Sequence, residues 1–295
     1  MLNVLITGSS GFIGRHLMNH FNGKYNLILP SREDLRSDTL LDNIDIVIHL
    51  AGKAHDTADI TDFDQYYISN TILTNSLFDK FLKSDSSVFI FMSSILVLGA
   101  DSLVPLTEDM NPAPVTNYAK SKFESELYIS QSKLPQRKRY YILRTPLVYG
   151  KDIKGNLKLL HDFIKKIPFW PLGSYRSERS FCDIRNLSFV IDQLVSKKVI
   201  DSGTYHVADD HSYHINDLYV AFAKLLNKKP LILNFPIPFI RLFFLLGTFL
   251  KLPFNLSRLN KLTSTLLVDN TKIKNAMNSD MPYGSLNDLI LSFKK

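Results

Sequence analysis

"TGSSGFIG", residues 7–14, follows directly on the apolar run "LNVLI" of residues 2–6, and its reading decides the fold. A buried strand that runs into three glycines within seven residues needs a backbone that turns sharply and keeps space beside itself. Glycine at 8 permits the tight turn, glycine at 11 lets the main chain approach a phosphate, and glycine at 14 lets the next helix sit close to its strand. The N-terminus of that helix then offers free amide donors and a partial positive charge. A glycine-rich turn that holds nothing has the same spacing, so residues elsewhere must decide.

Outward from this turn, apolar and β-branched runs at "NVLIT", "YNLILP", "DIVIHLAG", "SVFIFMSS" and "RYYILRTPLVYG" alternate with stretches at helical spacing through about residue 144. Strands separated by helix-length connections imply a parallel sheet with helices on both faces, whose ligands bind beyond the carboxyl ends of the strands. The second half predicts helices near 156–167, 184–197 and 215–227 and a strand at "GTYHVAD". We expect an α/β chain in two parts: residues 1–150 as a dinucleotide-binding domain, completed by segments returning near 180–210, and 151–295 as a smaller α/β substrate lobe.

Composition narrows the class. At 295 residues, 45% hydrophobic and 21% charged, with no repetitive segment, the chain can bury a sizeable core nearly throughout. A single cysteine, Cys182, rules out an internal disulfide and a thiolate metal cluster and fits a reducing compartment. Leu2–Ile6 already reads as a core strand with no basic region before it, so a cytoplasmic address is expected rather than secretion. The net charge of +7, with a basic cluster at "KLPQRKRYY" (133–141), would assist capture of a nucleotide diphosphate; a nucleic-acid partner is not expected. His206, His211 and His214 are too loosely spaced, with no fixed acidic partner, to make a metal enzyme the favoured reading.

The most apolar stretch is "FPIPFIRLFFLLGTFLKLPF", residues 235–254. Arg241 interrupts it, leaving uncharged runs of 11 and 9 residues, well short of the roughly 20 needed to cross a bilayer. A buried helix is the favoured reading, with peripheral membrane contact, at the inner face of the membrane, or homodimer packing as the alternative.

Together these signals resemble the extended short-chain dehydrogenase/reductase superfamily, the NAD-dependent epimerase/dehydratase family. Its opening "TGxxGFIG" matches Thr7 to Gly14 throughout, and "HLAG" (49–52) is similar to the family's "HLAA" at a strand end along the cofactor. The resemblance implies a Rossmann-type doubly wound sheet, with Gly8, Gly11, Phe12, Ile13, Gly14, Leu50, Ala51 and Gly52 beside the cofactor. In "NYAKSK", Tyr118 and Lys122 match Y-x-x-x-K; four-residue spacing puts both on one helix face. A phenol titrates near 10, so the Lys122 ammonium is expected to lower it, and Lys122 would also bind the nicotinamide ribose. "SSILVLG" (93–99) resembles "SSxxVYG" and makes Ser94 the catalytic serine, with Leu98 in place of the usual tyrosine.

The same resemblance assigns the substrate side. "RTPLVYG" (144–150) is similar to the segment leading into the substrate lobe; Asn156 after it, and Arg179 of "RSF", match residues that contact a nucleotide diphosphate, and Arg258 is a weaker candidate. The second strand ends in "LILPSRED": Ser31 and Arg32 resemble NADP-using deoxysugar reductases and favour NADP(H), while Glu33 and Asp34 argue for NAD(H), and Asp38 is expected beside the adenine. Dehydratases of the family carry an Asp-Glu pair after the catalytic hydroxyl, where this chain has Ile95 and Leu96. Simple hydride chemistry at a sugar carbon remains, and the resemblance to a bacterial polysaccharide-cluster subgroup implies reduction of a UDP-4-keto-6-deoxy-N-acetylhexosamine at C4, or UDP-sugar 4-epimerisation. A non-catalytic NADP-binding regulator is the rival that intact Ser94, Tyr118 and Lys122 argue against.

Overall fold

The structure, a computed structural model, describes residues 1–53, 63–153, 156–196, 200–250 and 255–293; the side chains of Asn156 and Leu159 lie outside the described set. Its strands are β1 (Asn3–Thr7), β2 (Asn26–Ile28), β3 (Ile46–His49), β4 (Val88–Ser94), β5 (Ser102–Leu106), β6 (Arg139–Thr145), β7 (Leu147–Tyr149), β8 (Glu178–Asp183), β9 (Gly203–His206), β10 (Ser212–His214) and β11 (Leu266–Val268). Helices α1 (Phe12–Phe21), α2 (Phe63–Tyr66), α3 (Leu73–Lys83), α4 (Asn117–Gln131), α5 (Asn156–Lys166), α6 (Ile184–Ser196), α7 (Ile215–Leu225), α8 (Ile237–Phe249), α9 (Leu256–Thr263), α10 (Thr271–Met277) and α11 (Leu286–Leu291) lie between them. A π-helical stretch, Tyr67–Ile72, joins α2 to α3.

The strands read as unbroken apolar runs because both faces of the sheet are covered. Val4, Ile6, Ile46, Ile48, Val88 and Ile90 pack to one side with Leu17 and Phe21 of α1 and Leu187 to Leu194 of α6. Their neighbours Leu5, Val47, Phe89 and Phe91 point the other way, onto Leu77, Phe78 and Phe81 of α3 and Ile129 of α4. Period-two alternation with apolar residues on both sides is the mark of a parallel sheet sandwiched by helices. The sheet is parallel, in the order β2-β1-β3-β4-β6-β9. From β1 the chain steps first to β2 on one side and then to β3 on the other, so the crevice for a ligand opens beyond the ends of β1 and β3.

The second sheet has the order β10-β8-β11-β5, with β7 pairing β8. It shares a separate core, in which Trp170, Phe181, Tyr219, Phe222 and Leu259 are buried together. Residue 150 is crossed in both directions: β9 joins the large sheet as its sixth strand (Tyr141 opposite Gly203), whereas β5, from before residue 150, pairs with β11 in the small one. Pro105 is tolerated because β5 is an edge strand. The helices expected near 156–167, 184–197 and 215–227 are α5, α6 and α7. Among the described residues no helix is long and apolar enough to cross a membrane.

Candidate active site

The turn after β1 is built on contact. Gly8 has φ of +70°, and a Cβ there would stand 2.7 Å from the amide nitrogen of Ala51, so only glycine lets the turn lie against the end of β3. A Cβ on Gly14 would come within 2.4 Å of the Gly8 carbonyl oxygen and 2.6 Å of Ser9 Cα, which is how α1 closes on its own strand. Gly11 is the N-cap of α1; the first turn holds no acidic residue and no side chain caps it. The amides at the start of α1, followed by Phe12 and Ile13, are thereby left to an outside acceptor, and a dinucleotide pyrophosphate fits that cradle.

A buried hydrogen-bond clamp keeps β1 and β3 in register beneath this cradle. Thr7 Oγ1 accepts from the Ala51 amide at 3.1 Å and pairs with His49 Nδ1 at 2.7 Å, and His49 Nε2 meets Thr74 Oγ1 at 3.0 Å. Burial, with the Lys122 charge added, pushes the His49 pKa down to about 3 and keeps the ring neutral. Gly52 is held next: a Cβ there would lie 2.8 Å from Asn70 Oδ1.

Ser94 ends β4, and Tyr118 and Lys122 lie one turn apart on α4, whose N-cap Thr116 accepts from the Ala119 amide. Ser94 lies close enough to the Tyr118 phenol to favour its ionised form. Lys122 Nζ donates to the Met92 carbonyl oxygen at 2.8 Å and stands 4.6 Å over the Phe91 ring. The expectation that Lys122 lowers the phenol is corrected here: burial dominates and pushes Tyr118 up to about 12, against the pull of Ser94. Lys122 is itself lowered to about 8 by burial, with Glu126 pulling it back upward. The site therefore holds a protonated phenol, an acid rather than a ready base, beside a hydroxyl and an ammonium that burial makes easy to deprotonate.

Residues 4–208 match the NAD dependent epimerase/dehydratase family. The chain belongs to that family. The UDP-glucose 4-epimerase of Vibrio cholerae is 29% identical over 93% of this chain and 89% of that protein. An Escherichia coli O157:H7 relative, N-acetyl-alpha-D-glucosaminyl-diphospho-ditrans,octacis-undecaprenol 4-epimerase, is 25% identical over 80% of this chain and 76% of its own length. Among solved structures, the Bordetella bronchiseptica enzyme WbmG in complex with NAD superposes with a TM-score of 0.75 at 16% identity, covering 99% of this chain and 92% of that one. Membership makes this chain an enzyme of nicotinamide-dependent chemistry, and the glycine cradle is where this family member would hold the dinucleotide.

The remaining candidates are less uniformly placed. Ser31 and Arg32 are exposed just past β2, and Asp34 turns inward on its own loop, its carboxylate accepting from the Ser31 amide at 2.7 Å. That hydrogen bond holds Asp34 below the usual carboxylate range. Asp38 is fully exposed, 3.9 Å from Lys80 Nζ, at the edge of a shallow cleft lined by Ile72, Asn75 and Asp79. Arg179 sits on β8, but its Nη1 already donates to the Lys261 carbonyl and to Ser264 Oγ at the end of α9, so a full fork toward phosphate is not open to it. Arg258 lies in the first turn of α9, and the Asn156 side chain falls outside the described residues. His206 is buried, its Nδ1 at 3.1 Å from the Leu106 carbonyl, while His211 and His214 are exposed. Among the described residues no three His, Cys, Asp or Glu side chains could hold one metal ion.

Two contributors have no counterpart in the motif reading. Asn70, buried in the π-helical stretch, accepts from the Lys53 amide at 2.7 Å and donates to Ser121 Oγ at 2.9 Å, tying the end of β3 to the helix that carries Tyr118 and Lys122. Glu126, one further turn along α4, is buried against Arg144 of β6, with a 2.6 Å ion pair, and accepts from the Ser93 hydroxyl. The sequence signal for Asn70 was a single asparagine in an otherwise regular helix, too common to single out. Glu126 and Arg144 are 18 residues apart in the chain, and only the β4–β6 pairing brings them together.

Proposed function

We propose that this chain is a nucleotide-sugar oxidoreductase that reduces the C4 keto group of a UDP-linked 4-keto-6-deoxy-N-acetylhexosamine, with NADPH as the favoured donor. The observation that carries the reading is the placing of Ser94, at the end of β4, beside the Tyr118 phenol, with Lys122 one helical turn away on α4. When bound, the dihydronicotinamide supplies the hydride. Tyr118, held protonated by burial, donates its proton to the C4 oxygen, and Ser94 holds that oxygen in line with the phenol. Lys122 orients the ribose hydroxyls.

The cofactor preference rests on β2. Of the two carboxylates after β2, Asp34 accepts from the Ser31 amide and Glu33 is exposed, while the exposed Arg32 guanidinium beside them suits a 2′-phosphate and supports NADPH. A second reading, UDP-sugar 4-epimerisation with retained NAD, is favoured by the name of the Vibrio cholerae relative. The test is to incubate the chain with NADPH or NADH and a panel of UDP-sugars, their 4-keto derivatives and a polyprenyl-diphosphate-linked sugar, the last because of the Escherichia coli relative. Stoichiometric cofactor oxidation with a 4-keto sugar is expected. Interconversion of two C4 epimers with no net oxidation would establish the second reading instead.

A further inference from the structure

Helix α8 meets the rest of the protein along one narrow stripe, Ile240, Phe244 and Gly247, and turns the remainder of its circumference outward. That outward side is apolar. Phe239 and Phe249 are 69% and 87% exposed, and Leu242, Leu246 and Leu250 are exposed with them. At about 100° per residue, Leu242 and Phe249 lie opposite the buried stripe and Arg241 falls on the flank between the two. A helix that is apolar on its outer as well as its inner side is not finished by its own fold.

Charge identifies what covers it. Residues 218–268 contain seven lysines and arginines and no aspartate or glutamate, so this stretch alone accounts for the whole net charge of +7, and the rest of the chain is balanced. A second copy of the same face would bring Arg241, and the exposed Arg258 and Lys261 of the neighbouring α9, toward their own copies, which costs rather than stabilises. An anionic bilayer suits both features: acyl chains for the outer face, and headgroups for the exposed Arg241 and the exposed Arg258 and Lys261 of α9, which packs on α8. Arg241 stands at the height where a long cationic side chain reaches back to the headgroups while its stem stays in apolar surroundings.

We infer that α8 is a docking helix that lies in the plane of an anionic lipid surface, with Phe239, Leu242, Leu246 and Phe249 inserted and Arg241 at the waterline. The helix packs on α9, whose last turn accepts Arg179 through the Lys261 carbonyl, so docking sets the substrate lobe against the membrane. This inference does not depend on which sugar is turned over, and it goes beyond the reductase reading.

The test is co-sedimentation of the purified chain with vesicles of phosphatidylcholine alone and with vesicles containing phosphatidylglycerol, for the wild type, L242E/F249E and R241Q. The wild type should pellet with the phosphatidylglycerol vesicles and be released by salt; L242E/F249E should lose the partition by ~tenfold or more, and R241Q a smaller share. NADPH titration and thermal unfolding of the variants should match the wild type, which separates lost docking from lost folding. Failure of the wild type to pellet with phosphatidylglycerol vesicles, or equal pelleting of the double variant, would overturn the inference. So would a wild-type dimer in light scattering that L242E/F249E converts to monomer, because a second copy would then cover the face.

Discussion

Replacing Gly14 by alanine tests the cradle where its geometry is tightest. The added Cβ would stand 2.4 Å from Gly8 O, 2.6 Å from Ser9 Cα and 2.7 Å from Ser9 O, all backbone atoms that cannot rotate aside. Restoring ordinary contact near 3.4 Å needs a displacement of about 1 Å between α1 and the turn, which bond-angle flexing cannot absorb cheaply. Overpacking of this kind costs about 1–3 kcal/mol of stability. The same shift moves the α1 amides away from a bound pyrophosphate, and losing one charge-assisted hydrogen bond, about 1.5–3 kcal/mol, corresponds to a Kd for NADPH raised roughly ten- to hundredfold. Gly11→Ala is the control for stability, because its Cβ meets a single protein atom, Gly8 O, at 3.1 Å. Urea unfolding of the cofactor-free protein and NADPH fluorescence titration measure the two effects. Should Gly14→Ala lose no more stability than Gly11→Ala, or bind NADPH as tightly as the wild type, the reasoning about close packing at this turn is wrong.

Two further outcomes follow from the site and its surroundings. Arg32→Ser should raise the Kd for NADPH about tenfold and leave that for NADH within about twofold, which paired titrations would check. Burial raises the carboxyl of Asp209 to about 7 against an ordinary 3.8, so the native state keeps a proton that the unfolded chain has released. Stability therefore declines as pH rises from about 4 to 7 and is level above, with a gap worth up to about 4 kcal/mol. Asp209→Asn keeps an oxygen for the Asp183 amide and the Asn186 side chain; its stability relative to the wild type should climb across that range in urea titrations, and a flat difference would refute the assignment.

The large sheet was readable because its strands are apolar on both faces and its first turn needs glycines that nothing else can replace. Ser94, Tyr118 and Lys122 were legible through their resemblance to the family's motifs, and the fold does bring Ser94 beside Tyr118 with Lys122 one turn along α4. What spacing could not convey was environment. Helix α4 turns a polar face inward, burying Ser121, Lys122, Ser125 and Glu126, so no apolar stripe announces it. The sign of the Tyr118 shift follows from the loss of solvent around the phenol, against the pull of Ser94, and neither is local in sequence. Arg179 matched a phosphate-binding motif, yet the end of α9, some 80 residues later, occupies part of its fork. The short edge strand β5, with Pro105 and exposed Leu103 and Val104, carries too little pattern to be assigned to either sheet.

The account turns on Tyr118 as the proton donor in a hydride transfer. The most direct measurement is single-turnover oxidation of bound NADPH by a 4-keto UDP-sugar, wild type against Tyr118→Phe, with the NADPH dissociation constant measured alongside. The rate should fall by about 10²–10⁴ while the dissociation constant stays within about threefold. A phenylalanine variant that oxidises NADPH within tenfold of the wild-type rate would contradict it.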